Sequence, residues 1–425
     1  MNFKNRVFVN YFDTISCAGY NANELFSSIC DKKDTITLDT NYVKDRVVAI
    51  GKIKKDKSLN EILLERLKEL LKNLNLKDFQ DTLLVVGSSV GGMSETENLY
   101  FKDKNYKNID YKKHPIDSIA YFLKKQFTFY DDISFSTACT SSANALGYAK
   151  EVIQKGIYKN VLVVGIDDLS YTTVCGFSAL SVLSSKPCTP FDKNREGMNV
   201  AEGFGILFLQ DRKQDSSIEI LGVGYSSDAH HMTQPHPNGL GAIEAMKNAL
   251  KDAKLKPDDI DYINAHGTGT YANDFSELTA IKELFKDSKT KPQVSSTKSI
   301  TGHTLGAAGA IEAIICCMVL KNQTIVPNKG LNEIEIEGIK IVGLDNMNDY
   351  YDVRLKEYRL EKLSSSKMFS FVKGNLADKE VINSIFDKYK PQVVVNLGAQ
   401  AGVRYSITNP DAYIESNLIG FYSIL

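Results

Sequence analysis

Ser136-Thr137-Ala138-Cys139-Thr140-Ser141-Ser142-Ala143-Asn144-Ala145-Leu146 sets a single cysteine among small and hydroxylated residues, directly before an apolar-periodic stretch that predicts a helix over 141–155. A thiol at such a junction gains thiolate character, because the positive end of a helix dipole favours an anion. Small neighbours let a bulky electrophile approach the sulfur. Outward from this segment, strand-like apolar runs recur at 83–87, 161–166, 205–209, 218–224, 261–265, 339–344 and 393–397. Helical patterns fall between them at 59–74, 118–127, 141–155, 240–252, 274–286 and 305–320. That alternation predicts α/β architecture with mostly buried sheets. Taken alone, the segment leaves open that Cys139 is a packing residue like the other six cysteines.

Two further segments carry chemistry-bearing residues. In Asn264-Ala265-His266-Gly267-Thr268-Gly269-Thr270 an apolar strand delivers a histidine into a glycine and threonine turn, which is where α/β proteins place ligand-binding groups. In Ser295-Ser296-Thr297-Lys298-Ser299-Ile300-Thr301-Gly302-His303-Thr304-Leu305-Gly306-Ala307-Ala308-Gly309-Ala310 a lysine and a histidine precede a helix of very small residues. Gly and Ala on that helix predict close packing against another backbone. A lysine lodged between serines and such a helix is expected to be buried and paired.

The 425 residues exceed a single small module, and 43% apolar with 24% charged residues is a globular composition. Lys plus Arg total 51 against 52 Asp plus Glu, so a net charge of -1 gives no global attraction to nucleic acid or an anionic membrane. The apolar run 305–320 contains Glu312 and reads as a buried helix. With no signal-peptide pattern at the start, the expected location is cytoplasmic. Seven scattered cysteines without a CxxC pair indicate neither a disulfide framework nor a structural metal. Lys52 to Lys57 and Lys112-Lys113 read as solvated faces, and His230, His231 and His236 as an entrance loop rather than a metal tract.

In this order, and together with Thr189-Pro190-Phe191-Asp192-Lys193-Asn194-Arg195-Glu196-Gly197 and Ala201-Glu202-Gly203, these segments resemble the beta-ketoacyl-ACP synthases, the decarboxylating condensing enzymes of fatty-acid and polyketide assembly. Residues 1 to about 330 carry the likeness, including Gly87-Ser88-Ser89-Val90-Gly91-Gly92-Met93 near the acyl pocket. The resemblance implies a thiolase-like five-layer αβαβα fold, a homodimer, and an acyl carrier protein with phosphopantetheine-linked acyl and malonyl groups as partner, with no cofactor and no metal. It implies Cys139 as the acylated nucleophile and His266 and His303 as neutral imidazoles that donate N–H hydrogen bonds to a developing enolate. Lys298 would be an electrostatic organiser with the acidic Glu277 near it, and Thr268 and Thr270 would bind the pantetheine arm. The Cys/His/His set separates this pattern from Cys/His/Asn condensing enzymes and from thiolases.

The likeness stops near residue 330. Condensing enzymes close their second half with two more strands and a Gly-Phe-Gly-Gly-Thr-Asn loop that donates a backbone N–H to the oxyanion hole, and no such sequence occurs here. One lost donor costs about 2.7 to 4 kcal/mol, on the order of 100- to 1,000-fold in rate, so an inactive homologue is the alternative expectation. Residues 338–425 instead resemble NAD-dependent nucleotide-sugar epimerases, UDP-glucuronate 4-epimerases in particular, through the stretches 343–352, 371–376 and 396–406. Asp345 stands where a ribose-binding acid would, yet no glycine-rich turn precedes it by about 20 residues, Asn375 replaces an Asp, and no Tyr-x-x-x-Lys pair follows. An incomplete Rossmann-like α/β fragment without an NAD site is expected, with Arg404 a remnant of the fold. The predicted organisation is therefore 1–215 with the nucleophile, a truncated 216–332 with the histidines and lysine, and 333–425 as the fragment.

Overall fold

Strands that are apolar at every position must lie between two layers, because their side chains alternate between opposite faces. The computed structural model, which describes residues 5–231, 233–334, 341–364, 369–391, 393–400 and 403–425 (403–405 for backbone alone), builds on this. Two compact units result, Met1–Glu335 and Ile336–Leu425, and the first holds both expected halves 1–215 and 216–332.

The strands of the first unit are β1 (Phe8–Ser16), β2 (Thr37–Asp39), β3 (Val48–Ile50), β4 (Phe79–Gly87), β5 (Phe129–Phe135), β6 (Asn160–Asp167), β7 (Gly203–Gln210), β8 (Ile218–Glu219), β9 (Tyr262–Asn264) and β10 (Gln293–Ser295). Its principal helices are α1 (Ala22–Cys30), α2 (Leu59–Asn73), α3 (Met93–Asp103), α4 (Ser118–Lys124), α5 (Ser141–Gln154), α6 (Tyr171–Ala179), α7 (Leu240–Ala253), α8 (Tyr271–Leu284), α9 (Lys298–Thr301) and α10 (Ala308–Asn322). Six strands form one mixed sheet in the order β5-β4-β6-β7-β1-β8. β4 runs parallel to β5 and β6, and β7 runs antiparallel to β6 and β1. One face buries Leu84, Val86, Leu162, Val164, Phe204, Ile206 and Phe208 against α2 and α4. The other buries Leu83, Val85, Val161, Val163, Leu207 and Leu209 against α1, α5 and α10. Burying each such side chain fully is worth about 1.5–3 kcal/mol, so this sheet is the stable frame of the unit.

The small residues flagged in the sequence set the spacing of its layers. Gly87, Gly165 and Gly205 lie side by side in register, and a Cβ on Gly165 would stand 2.6 Å from Ser142 Cβ and 2.7 Å from Ala310 Cβ. Between the helices, a Cβ on Gly309 would meet Ala143 N at 2.6 Å. The N-terminal ends of α5 and α10 therefore press together on a flat glycine floor, which brings the Cys139 and His303 segments to one place. Leu305–Asn322 is apolar and long enough to cross a membrane by length and composition, but 61% of it is buried inside the unit as a core element.

In the second half, β9 pairs in parallel with β10, and these two strands make its sheet among the described residues. The strand expected over 218–224 ends at Glu219: Gly222 and Gly224 lie against the α7 backbone, where a Cβ on Gly224 would meet Ala245 O at 2.0 Å, so this stretch packs on a helix instead of a neighbouring strand.

In the second unit β11 (Ile341–Asp345) runs parallel to β12 (Phe369–Lys373), with α11 (Val353–Ser364) and α12 (Lys379–Tyr389). The strand expected over 393–397 is not formed: Val393 is 78% and Leu397 87% exposed, and no strand among the described residues is bonded to them. Its apolar run lacks the second layer that such a strand requires. Residues 339 and 340 of another expected strand, and the Arg404 side chain, lie outside what is described.

Candidate active site

Cys139 sits in the connection from β5 to α5, in a turn tied by short polar bonds. Ala138 adopts φ +53°, a left-handed conformation costly for a residue with a Cβ, and the Ser141 hydroxyl holds it by donating to the Ala138 carbonyl at 2.6 Å. Ser141 Oγ in turn accepts from Thr137 N–H at 2.9 Å, and Ser89 Oγ also donates to Ala138 O at 2.8 Å. The turn presents the half-buried Cys139 Sγ 3.0 Å from His303 Nε2.

His303 is fully buried, and its backbone is fixed by the N–H bond to Asn199 O at 2.7 Å. Leu305 N–H donates to its Nδ1 at 3.2 Å. Since Nδ1 accepts, the neutral ring carries its proton on Nε2, the atom that faces the sulfur. His266 follows β9, and its backbone N–H and that of Gly267 both donate to the Glu277 carboxylate on α8, at 2.7 and 2.8 Å. Lys298 Nζ lies 3.3 Å from His266 Nδ1 and donates to His266 O at 2.7 Å, so this Nδ1 also accepts and Nε2 again carries the proton. The two imidazoles stand edge to face with ring centres 5.1 Å apart.

Lys298 is 1% exposed and forms an ion pair with Glu312 on α10. The acid on Lys298 is thus Glu312, whereas Glu277 spends both oxygens on backbone N–H groups. The difference is one of reach: Glu312 on α10 meets the Lys298 ammonium, while Glu277 on α8 meets the His266 turn. The sequence signal for Glu312 was the lone carboxylate in an apolar run, because a buried charge needs a partner. Thr268 and Thr270 share a hydroxyl–hydroxyl bond of 2.9 Å on the turn after His266. Buried Asp274 braces that turn, accepting from Gly269 N–H at 3.1 Å and Phe191 N–H at 2.7 Å, with Arg195 Nε 3.6 Å away.

The electrostatics follow from burial around one cation. Burial first, and the Lys298 charge second, hold both imidazoles well below the usual histidine range. Burial pushes the Cys139 thiol up, and Lys298 opposes this without reversing it. The expected thiolate character is therefore corrected: desolvation of the sulfur holds the thiol above its ordinary range. Burial raises Glu277 to about 7. Cys139, His266 and His303 offer ligand atoms within 4.8 Å of one another, a spacing that could hold a metal ion, although Lys298 would set a second positive charge beside it.

A cavity of about 250 Å³ opens onto His266 and Glu277, bordered by Ser226, Asp228 and Pro235. The loop with His230, His231 and His236 adjoins this opening, and its imidazoles are not brought to Cys139; the His230 and His236 rings lie tilted at 58° with centres 4.7 Å apart. Within the cluster read as a solvated face, Lys55 turns inward to Asp168 at 2.7 Å and Glu202 at 2.6 Å.

Residues 52–215 match the family model described as beta-ketoacyl synthase, N-terminal domain, and 218–332 match its C-terminal domain. Residues 334–425 match the model described as GDP-mannose 4,6 dehydratase. A 3-oxoacyl-[acyl-carrier-protein] synthase 2 of Coxiella burnetii is 33% identical over 284 residues, covering 64% of this chain and 64% of that protein. The enzyme of the same name from Staphylococcus aureus is 39% identical over 203 residues, 45% of this chain and 50% of that protein. The chain thus spans between half and two thirds of the length of these curated relatives. Among solved structures, a ketosynthase of Xenorhabdus doucetiae in complex with its chain length factor has a TM-score of 0.69 at 26% identity, covering 80% of this chain and 94% of its own. A beta-ketoacyl synthase of Burkholderia phymatum has a TM-score of 0.70 at 25% identity, covering 78% and 90%.

The dinucleotide implied by the likeness of the second unit does not fit it. Asp345 Oδ1 accepts from Lys356 Nζ at 3.1 Å and from Met347 N–H at 2.6 Å, so the acid that would hold a ribose is already engaged. Where a pyrophosphate turn would precede it, the first unit has the end of α10.

Proposed function

Residues 52–332 belong to the beta-ketoacyl synthase family, and on that premise we propose that this chain catalyses decarboxylative Claisen condensation between an acyl group on Cys139 and a malonyl thioester. Attack of Cys139 sulfur on an acyl-carrier thioester forms the acyl-cysteine and releases the carrier thiol, which takes the proton. The malonyl thioester then loses CO2, and its enolate oxygen accepts hydrogen bonds from the Nε2–H groups of His266 and His303. The enolate carbon attacks the acyl-cysteine carbonyl and expels the Cys139 thiolate, which takes a proton from solvent.

The observation that carries this reading is the Cys139 Sγ to His303 Nε2 distance of 3.0 Å, with the second imidazole edge to face at 5.1 Å. Neutral imidazoles suit it, since each donates from Nε2 while its Nδ1 accepts the bond that orients the ring. Burial first and the Lys298 charge second keep both in that state, and Thr268 and Thr270 offer hydroxyls to the pantetheine arm. The proposed partner is an acyl carrier protein, as in the names of the curated relatives. The reading includes a thiolase-like five-layer fold, a cytoplasmic location and a homodimer, for which β5, the outer strand of the six-stranded sheet beside the Cys139 turn, offers an open edge. For the second unit we keep the narrower likeness to UDP-glucuronate 4-epimerases, as a fragment without chemistry of its own.

A second reading, an inactive condensing-enzyme homologue, is favoured by one feature: the two-stranded second sheet without the glycine-rich closing loop. Incubation with an acyl-loaded carrier protein followed by intact-mass measurement separates the two. Condensing activity requires an acyl adduct on the wild-type chain that disappears in Cys139→Ala. No adduct, or one that persists in the variant, supports the inactive homologue.

A further inference from the structure

One buried carboxylate touches both turns that face each other across the site. Asp167 ends β6 and is 1% exposed. Its oxygens accept from Ser88 Oγ at 2.6 Å, from the N–H groups of Ser89 at 3.0 Å and Val90 at 2.9 Å, and from Gly306 N–H at 2.6 Å. The first three donors form the turn after β4, whose Ser89 hydroxyl holds the Ala138 carbonyl directly before Cys139. The fourth belongs to the turn after His303, in which Leu305 N–H fixes the ring through Nδ1. There is no slack between them: a Cβ on Gly306 would stand 2.7 Å from both Asp167 Oδ2 and Ser89 N.

We propose that Asp167 is a positioning residue of this site, a clamp that joins the Cys139 turn to the His303 turn and so fixes the sulfur against the imidazole N–H. The inference rests on the reading of Cys139 as the acylated nucleophile. It goes beyond that reading, because Asp167 touches no reacting atom and acts through two backbone turns. Charged groups that act on the thiol are Lys298, Glu312 and Asp167, with His303 in direct contact. Asp167 itself raises the thiol pKa, so deleting its charge alone would lower the titration midpoint of Cys139, whereas losing the His303 hydrogen bond would raise it. A purely electrostatic role and a positioning role therefore predict opposite signs.

The test compares Asp167→Asn, Ser89→Ala and Asp168→Asn in the full chain. Asp168 is the adjacent acid, paired with Lys55 and bonded to Ser94 and not to either turn, so it controls for loss of a charge at this position. The readouts are iodoacetamide alkylation of the Cys139 peptide as a function of pH, followed by mass spectrometry, and kcat and KM for condensation. The clamp predicts that Asp167→Asn raises the alkylation midpoint and lowers kcat by about 30-fold or more with little change in KM, since small misplacements of reacting groups cost up to about 100-fold. Ser89→Ala changes both in the same direction by less, and Asp168→Asn changes neither. A midpoint that falls in Asp167→Asn, or an equal kcat loss in Asp168→Asn, overturns the clamp. If Asp167→Asn does not fold, Ser89→Ala decides, and an unchanged alkylation profile there overturns it. A wild-type chain that performs no condensation refutes the functional reading, and the alkylation profiles still test the clamp.

Discussion

The two halves of the catalytic unit hold their share of the site by different means. Cys139 stands at the edge of a six-stranded sheet whose strand β7 is buried at all eight positions, while His266 follows β9, whose three residues are each half-buried in a two-stranded sheet. Apolar burial fixes the six-stranded sheet. Polar anchors fix the His266 turn: Glu277 on two N–H groups, Asp274 on the following turn, and Lys298 between His266 and Glu312. A site can therefore keep its geometry where sheet is missing, provided that its turns are tied directly to charged groups that cannot leave.

Substitutions should separate the two halves. Phe208→Ala in β7 should cost about 3–5 kcal/mol in urea unfolding, whereas Ile263→Ala in β9 should cost about 1 kcal/mol, because a half-buried side chain has less to lose. Equal costs would mean that β9 is packed as tightly as β7. Next in size, His266→Ala should slow condensation by roughly 100- to 1,000-fold, the worth of one oxyanion donor, while leaving the acyl adduct on Cys139 intact. Loss of the adduct as well would place His266 in the acylation step and break the division between the halves.

The same contrast explains what the sequence disclosed. The runs at 83–87, 161–166 and 205–209 were legible because continuous apolar character demands two covering layers, and the glycines and alanines of α10 announced a close approach that Gly309 and Ala143 make. The run at 393–397 has the same character and is no strand, since pattern states a need for neighbours and not their presence. The stretch after Glu219 likewise went to a helix. Within the site, residue types and order pointed to Cys139, His266, His303 and Lys298, but not to which acid serves which group. Glu277 was expected near Lys298 and feels its charge, but the ion pair goes to Glu312, for which no role was expected, because reach across α8 and α10 is a tertiary property. The thiolate expectation failed for a similar reason: a helix end is local and visible in sequence, while desolvation is not. Asp167 gave no signal beyond an acid at a strand end.

Protonation of the two imidazoles is the most direct measure of the account. Their pKa values are depressed, so the unfolded chain gains protons below pH 6.5 that the folded site refuses, and these two groups lower stability as pH falls below that point. In the folded protein, 15N NMR of labelled histidine, with His266→Ala and His303→Ala for assignment, should show both rings neutral with the proton on Nε2 from pH 8 to well below 6.5. A ring that titrates near 6.5, or carries its proton on Nδ1, would contradict two uncharged donors aimed at one oxyanion.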